Sequence, residues 1–237
     1  MRRPYFDPIW KKVGQAIGDY DLINDGDCIA IGLSGGKDSM VLTWVLSTLQ
    51  KIAPVKFALE AVSIDLGWGD DLSGVGTHCE SLGIRHTVKR TTIGPIAFKH
   101  KSSQSACALC AHLRRGALND TAHELGCNKV ALAHHLDDAI ETLLMSMLYE
   151  GRIYCFHPKT YLDESKITVI RPLVYTEEVS VAAACRELGF PAVSNSCPAE
   201  GKTSRSEAKR MLQHLAAVVP NVRGQLRSCL QHFWKDA

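Results

Sequence analysis

Long apolar runs are missing from this 237-residue chain. Nothing approaches the ~20 residues that cross a bilayer as a helix, so a transmembrane helix is excluded and no membrane partner is expected. The opening stretch, MRRPYFDPIWKK, is charged and lacks an apolar h-region. No signal peptide is therefore expected, and the cytoplasm is the expected compartment. A strong charge of one sign is missing too: 27 Lys and Arg against 25 Asp and Glu leave +2. A nucleic-acid partner must then be argued from local clusters, because net charge does not supply it. Aromatics are only 7%, so no stacking platform for bases is evident. Repeats, low-complexity stretches and linkers are also lacking. Cysteine, in contrast, is plentiful at nine residues, an odd number scattered through the chain. That distribution argues against a disulfide framework and directs attention to the closely spaced ones as metal or catalytic groups.

The apolar pattern alternates between strand and helix. Ile9, Val13 and Ile17 share one face of a helix over 8–20. Short runs at 28–33, 56–65, 85–91, 129–135 and 166–174 read as strands. Helices are expected over 39–52, 72–84, Leu109–Leu125 (stopped by Gly126), 136–151, 176–190 (opened by Thr176) and 204–220. Alternation at these lengths implies right-handed βαβ units, hence an α/β fold with a parallel Rossmann-like sheet covered on both faces and short helical extensions. The expected division is an N-terminal helix over 1–25, a nucleotide-binding domain over 26–175, and a C-terminal helical extension over 176–237 packed on that domain.

Three sets of residues carry chemistry. Ser34-Gly35-Gly36-Lys37-Asp38-Ser39 joins the first strand to the next helix. Glycines let the backbone approach a ligand, and a helix start offers unpaired N–H groups to phosphate; the plainer reading is a Gly-rich turn. The pattern is neither GxxxxGK[ST] nor GxGxxG. Asp137 and Asp138 follow the fourth strand, at the end of the sheet where ligands sit. They suit Mg²⁺ or a ribose, or merely a helix N-terminus. Glu141, one turn on, pairs with a neighbour on the plainer view. The third set is Cys107 and Cys110, a CxxC followed by Arg114 and Arg115, with Cys197 in the polar stretch SNSCPAEG. Zinc, with His112 or a further cysteine as fourth ligand, a persulfide or disulfide pair, buried core thiols, and an iron–sulfur site all remain open. The other six cysteines lie in apolar patterns and read as packed residues. Arg114, Arg115, Arg152, Lys202, Arg205, Lys209 and Arg210 are the cations to place against RNA phosphates. Trp68 is a candidate partner for an extruded base.

SGGKDS in this setting, Asp65 ending the second strand, HHLDDAIET at 134–142, RPL at 171–173 and CPAEGKTSRSEAKRML at 197–212 stand in the order found in the pyrophosphate-loop ATPases. The chain resembles that adenine nucleotide α-hydrolase-like family over about residues 8–230. Its closest form is the tRNA 2-thiocytidine synthetase group of tRNA thiolases. That resemblance implies ATP held by Ser34–Ser39, Asp65, Asp137 and His135 (or His134, since HHxDD leaves the phase open), with Mg²⁺. It implies a 4Fe–4S cluster on Cys107, Cys110 and Cys197, assisted by Arg114, with Asp138 positioning the base. The implied reaction is adenylation of a cytidine C2 oxygen in tRNA and its replacement by sulfur, giving 2-thiocytidine at position 32. The implied partners are tRNA, a sulfide donor (a cysteine desulfurase or free sulfide) and a second copy in a homodimer. The chain departs from its relatives in lacking the paired CxxC modules of archaeal-type thiouridine synthetases, and in having NSCPAEGKTSR where some have a CNLC-like stretch. Competing assignments are thiolation of another base or a small molecule, a lysidine-synthetase-like ligase, which needs no cluster, and a non-catalytic ATP-binding iron–sulfur sensor.

Overall fold

The computed structural model describes residues 6–99, 103–190, 197 and 204–235. In chain order the elements are α1 (Phe6–Tyr20), β1 (Cys28–Gly32), α2 (Lys37–Ile52), β2 (Ala58–Asp65), α3 (Ser73–Leu82), β3 (Arg85–Arg90), α4 (Ile93–Phe98) and α5 (Ser103–Glu124). They continue with β4 (Lys129–Ala131), α6 (Leu136–Tyr149), β5 (Lys159–Leu162), β6 (Ile167–Ile170), α7 (Glu178–Leu188), α8 (Ser204–Val218) and α9 (Val222–Lys235). One six-stranded sheet has the order β3-β2-β1-β4-β6-β5. The α/β expectation holds, with one correction: the sheet is mixed. β5 runs antiparallel to β6, with Lys159 opposite Ile170 and Leu162 opposite Ile167. An antiparallel neighbour needs only a tight connection, whereas the parallel pairs need helical crossovers.

Burial follows the expected pattern. Ile29 and Ile31 on β1 are fully buried, and the α1 face carrying Ile9, Val13 and Ala16 joins the same apolar cluster as Met40, Val45 and Leu46 of α2. The C-terminal helices reach that cluster through Leu212, Leu230 and Trp234. α5 lies over the end of β1. A Cβ on Gly32 would stand 2.9 Å from Leu118 Cδ2 and 3.0 Å from Leu132 Cδ2, so this helix approaches closely because residue 32 has no side chain.

Several boundaries differ from the sequence reading. α5 begins at Ser103, a turn and a half before Leu109, so Cys107 and Cys110 both lie within the helix. β4 ends at Ala131, which leaves His134 and His135 beyond the strand. Thr176 does not open α7: the cap position is Glu177, and Thr176 is fully buried with its hydroxyl unpartnered among the described residues. Its carbonyl instead accepts the N–H of Leu136 at 2.8 Å. α4, β5 and α9 are additional elements.

Candidate functional site

The loop between β1 and α2 is built by its own hydroxyls. Gly35 adopts φ +80°, a left-handed conformation that glycine enters freely. Gly36 caps α2 in an extended conformation and its carbonyl receives the N–H of Met40 at 3.1 Å. Ser39 Oγ donates to Gly36 O at 2.9 Å and lies 3.2 Å from Ser34 Oγ. The serines thus brace the turn, and the helix start behind it presents its free N–H groups. Lys37 Nζ sits 3.1 Å from Asp38 and 3.2 Å from Glu178 of α7. Burial works against the lysine charge, but these two carboxylates hold its pKa above the usual value.

β4 delivers the second set at the same end of the sheet. His135 caps α6: its Nδ1 accepts the Asp138 N–H at 3.3 Å, and Asp138 Oδ2 accepts the His135 N–H at 3.0 Å. Asp138 Oδ1 accepts from Arg205 of α8 at 2.9 Å. Asp137, only 3% exposed, accepts the Glu178 N–H at 2.7 Å and pairs with Arg223 of α9. Glu178 also binds Lys209 at 2.6 Å. His135 Nε2 looks across 3.8 Å at Asp38 Oδ1, a buried oxygen with no hydrogen-bond partner among the described residues. That orphaned carboxylate oxygen is the kind of hard donor Mg²⁺ takes.

The paired histidines have different surroundings. His135 joins the site, while His134 Nδ1 accepts from Arg171 Nε at 3.3 Å and its ring packs 5.0 Å from Phe156. Burial, then the Arg171 guanidinium, holds His134 well below the usual histidine value, so it is a neutral acceptor. Asp65 lies at the end of β2, where Oδ1 accepts the Gly67 N–H at 2.8 Å and closes its own turn. Trp68 packs over Gly94, edge-on to Phe98 with centroids 5.7 Å apart.

Cys107 and Cys110 lie three residues apart, on one face of α5 and in its first turns. α5 follows β3 and leads into β4, which puts its N-terminal turns at the carboxyl end of the sheet, beside the loop edge. Cys197 lies in the chain that precedes α8. Burial and then Cys197 push the Cys107 thiol up, and burial, Cys197 and Cys107 push up Cys110. Arg114, one turn beyond Cys110, pulls the other way, yet burial outweighs it. Among the described residues no three His, Cys, Asp or Glu side chains stand at metal-ligand spacing, and His112 is exposed. The donor type nevertheless fits an iron–sulfur group, since soft thiols are its ligands and Arg114 places a cation beside Cys110.

Of the other cysteines, Cys79, Cys127, Cys155 and Cys185 are buried as expected, but Cys229 is exposed. The cations expected to face RNA divide. Arg115 is exposed and Arg152 is exposed but paired with Glu150, while Arg205 and Lys209, though open to solvent, bind Asp138 and Glu178. Lys202 lies outside the described residues. Sequence reasoning missed Glu178 and Arg223 as members of the site. Their only sequence signal is a carboxylate and a guanidinium in the first turns of two helices.

A family model described as the PP-loop domain matches residues 8–213. The tRNA-cytidine(32) 2-sulfurtransferase of Syntrophotalea carbinolica is 42% identical, covering 95% of this chain and 88% of its own. The enzyme of the same name from Geobacter metallireducens is 41% identical over 92% and 86%. Among solved structures, the U34-tRNA thiolase NcsA of Methanococcus maripaludis, with its [4Fe-4S] cluster, superposes with TM-score 0.77 at 24% identity over 98% of this chain and 80% of that one. The NH3-dependent NAD synthetase of Campylobacter jejuni superposes at 0.55 with 14% identity over 98% and 95%. These two likenesses establish the fold; the sequence relatives and the matched domain establish more, and the chain belongs to the PP-loop family and, within it, to that of the tRNA-cytidine(32) 2-sulfurtransferases.

Proposed function

We infer that this chain is an ATP-dependent tRNA sulfurtransferase that converts a cytidine, at position 32, to 2-thiocytidine. The observation that carries the reading is the family match along most of the chain, with Cys107 and Cys110 on one face of the first turns of α5 in support. The base oxygen at C2 attacks the α-phosphate of ATP, and pyrophosphate leaves. A sulfur nucleophile then adds at C2 and AMP departs. The loop N–H groups and Lys37 hold the phosphates and stabilise the charge that builds on pyrophosphate. Asp38, through its orphaned Oδ1, would hold Mg²⁺. Asp65 would meet the adenosine, and Asp138 and Arg114 would orient the base beside the thiols.

The three cysteines would ligate a 4Fe–4S group, which when bound offers one iron free of protein thiolate as the place where sulfide is held. The sulfur itself comes from outside the chain, from a cysteine desulfurase or as free sulfide, and the assembly is a homodimer. Anaerobic purification followed by iron, acid-labile sulfide and zinc analysis tests the reading directly. About four irons and four sulfides per chain, lost in each of Cys107→Ala, Cys110→Ala and Cys197→Ala, are expected, together with 2-thiocytidine in tRNA treated with the wild type alone. Stoichiometric zinc without iron would overturn the cluster.

A further inference from the structure

Away from the loop, a cleft of about 250 Å³ opens between α1 and α9. Lys11, Lys12 and Gln15 line it from α1, Arg227 and Gln231 from α9, and Tyr175 closes it. Three cations and two amides converge there. Lys12 is partly neutralised by Glu177 at 3.0 Å, and Asp19 is occupied nearby by Tyr175 at 3.1 Å and Gln15 at 3.4 Å. Lys11 and Arg227 have no carboxylate within ion-pair distance among the described residues. The surplus charge therefore faces an open cavity, and an anion is what such a cavity takes.

The position of the cleft narrows the anion. Arg227 is one turn along α9 from Arg223, which pairs with Asp137 of the ATP site. That separation is about 6 Å along the axis, on the same helix face. Glu177, the partner of Lys12, is the chain neighbour of Glu178, which holds Lys37 of the phosphate loop. The cleft thus lies about one helical turn outward from the ion pairs of the nucleotide site. The one aromatic ring is unavailable for stacking: Tyr175 is 3% exposed and its hydroxyl is tied to Tyr20 at 2.8 Å. Cations and amides without a free ring bind a backbone and do not read a base.

We propose that the α1–α9 cleft is a phosphodiester-binding site, in which Lys11 and Arg227 grip the backbone of the RNA whose base enters the nucleotide site. This rests on the tRNA reading above and adds a contact to it. The test uses the full-length protein as wild type, Lys11→Ala, Arg227→Ala, the double variant and Arg227→Lys. The tRNA Kd is measured across a salt series, beside ATP affinity and thiolation kinetics. Each lost contact should lower the slope of log Kd against log salt by about 1. The double variant should bind tRNA ~10-fold more weakly near physiological salt. Its KM for tRNA should rise at constant kcat and constant ATP affinity, with Arg227→Lys restoring most of the loss. Wild-type tRNA binding matched by the double variant in affinity and slope would overturn the cleft and leave the tRNA reading standing. A wild type with no affinity for tRNA would overturn both. Inorganic phosphate is the second probe: binding that the double variant loses while its tRNA affinity is unchanged would assign the cleft to a small anion and overturn the RNA assignment.

Discussion

Glu141 is a carboxylate set where a charge is expensive. Its side chain is 5% exposed, and Arg205 stands 3.8 Å away, already bound to Asp138 at 2.9 Å. Burial first, then Asp138, pushes its pKa up from 4.5 to about 7. The folded chain therefore keeps the Glu141 proton up to about pH 7, while the unfolded chain releases it near 4.5. Its contribution to stability is full below 4.5 and is lost as pH rises through 7. Glu141→Gln lacks this loss. Its stability relative to wild type should climb between those pH values by about 3 kcal/mol, and urea unfolding across the range reads it. A flat difference would mean that Arg205 fully pays for the charge. Lys129 is the converse case, a charge that is buried and matched. It lies 2.6 Å from Asp27, with side chains 5% and 6% exposed, and donates to Leu22 O at 2.9 Å. Lys129→Met would leave the Asp27 carboxylate without its counter-charge, held by the Asn24 N–H and Asn128 Nδ2, and should cost about 3 kcal/mol in the same assay.

At the scale of elements, one cap organises the site. His135 receives the N–H of Asp138, the third residue of α6, and Asp138 returns the bond. His135→Ala should cost ~1 kcal/mol, and His135→Asn, itself a good cap, much less; chemical denaturation separates them. Such local grammar was visible in the sequence where the pattern was strong. The alternation of short apolar runs with amphipathic helices located β1, β2, β6 and α2, because buried parallel strands are continuous apolar blocks, whereas β3, RHTVKR, is an edge strand with no buried residue. What escaped had weak patterns. β5 is four residues with every second one exposed, an edge strand that buries little. α4 begins Ile93-Gly94-Pro95, whose Gly and Pro read as breakers, yet Gly94 is required because its Cβ would lie 2.4 Å from the Trp68 ring. Gly94→Ala should displace that ring and cost about 1–3 kcal/mol, seen as a changed tryptophan emission and a lower Tm. The start of α5, Ser103-Gln104-Ser105-Ala106, shows no apolar period at all. At the site, SGGKDS and HHLDD were legible because their chemistry is local. The Asp137–Arg223 and Lys37–Glu178 pairs were not, because 86 and 141 residues of chain separate their members and no spacing rule spans such a gap.

At the scale of the whole molecule, the C-terminal helices close the nucleotide site from outside the sheet. α8 and α9 bring Arg205, Lys209 and Arg223 onto Asp138, Glu178 and Asp137, three carboxylates carried by α6 and α7. They are anchored by Leu212, Leu230 and Trp234, whose indole N–H donates to Phe156 O at 2.9 Å. Arg223 makes the most demanding of these links, since Asp137 is buried and, among the described residues, keeps only the Glu178 N–H if the guanidinium is removed. Arg223→Ala should therefore lower stability by about 1–3 kcal/mol, a Tm drop of several degrees for a chain of this size. Because Glu178 also holds Lys37, the same change should loosen the loop and weaken ATP binding, which calorimetric titration measures. Asp137→Asn alone should be milder, as it removes the charge that needs a partner. In the double variant the two losses should not add: a coupling of at least about 1 kcal/mol is expected if α9 acts through this carboxylate. Strict additivity would mean that the C-terminal helices hold the site through their apolar anchors and that the arginine is a surface charge.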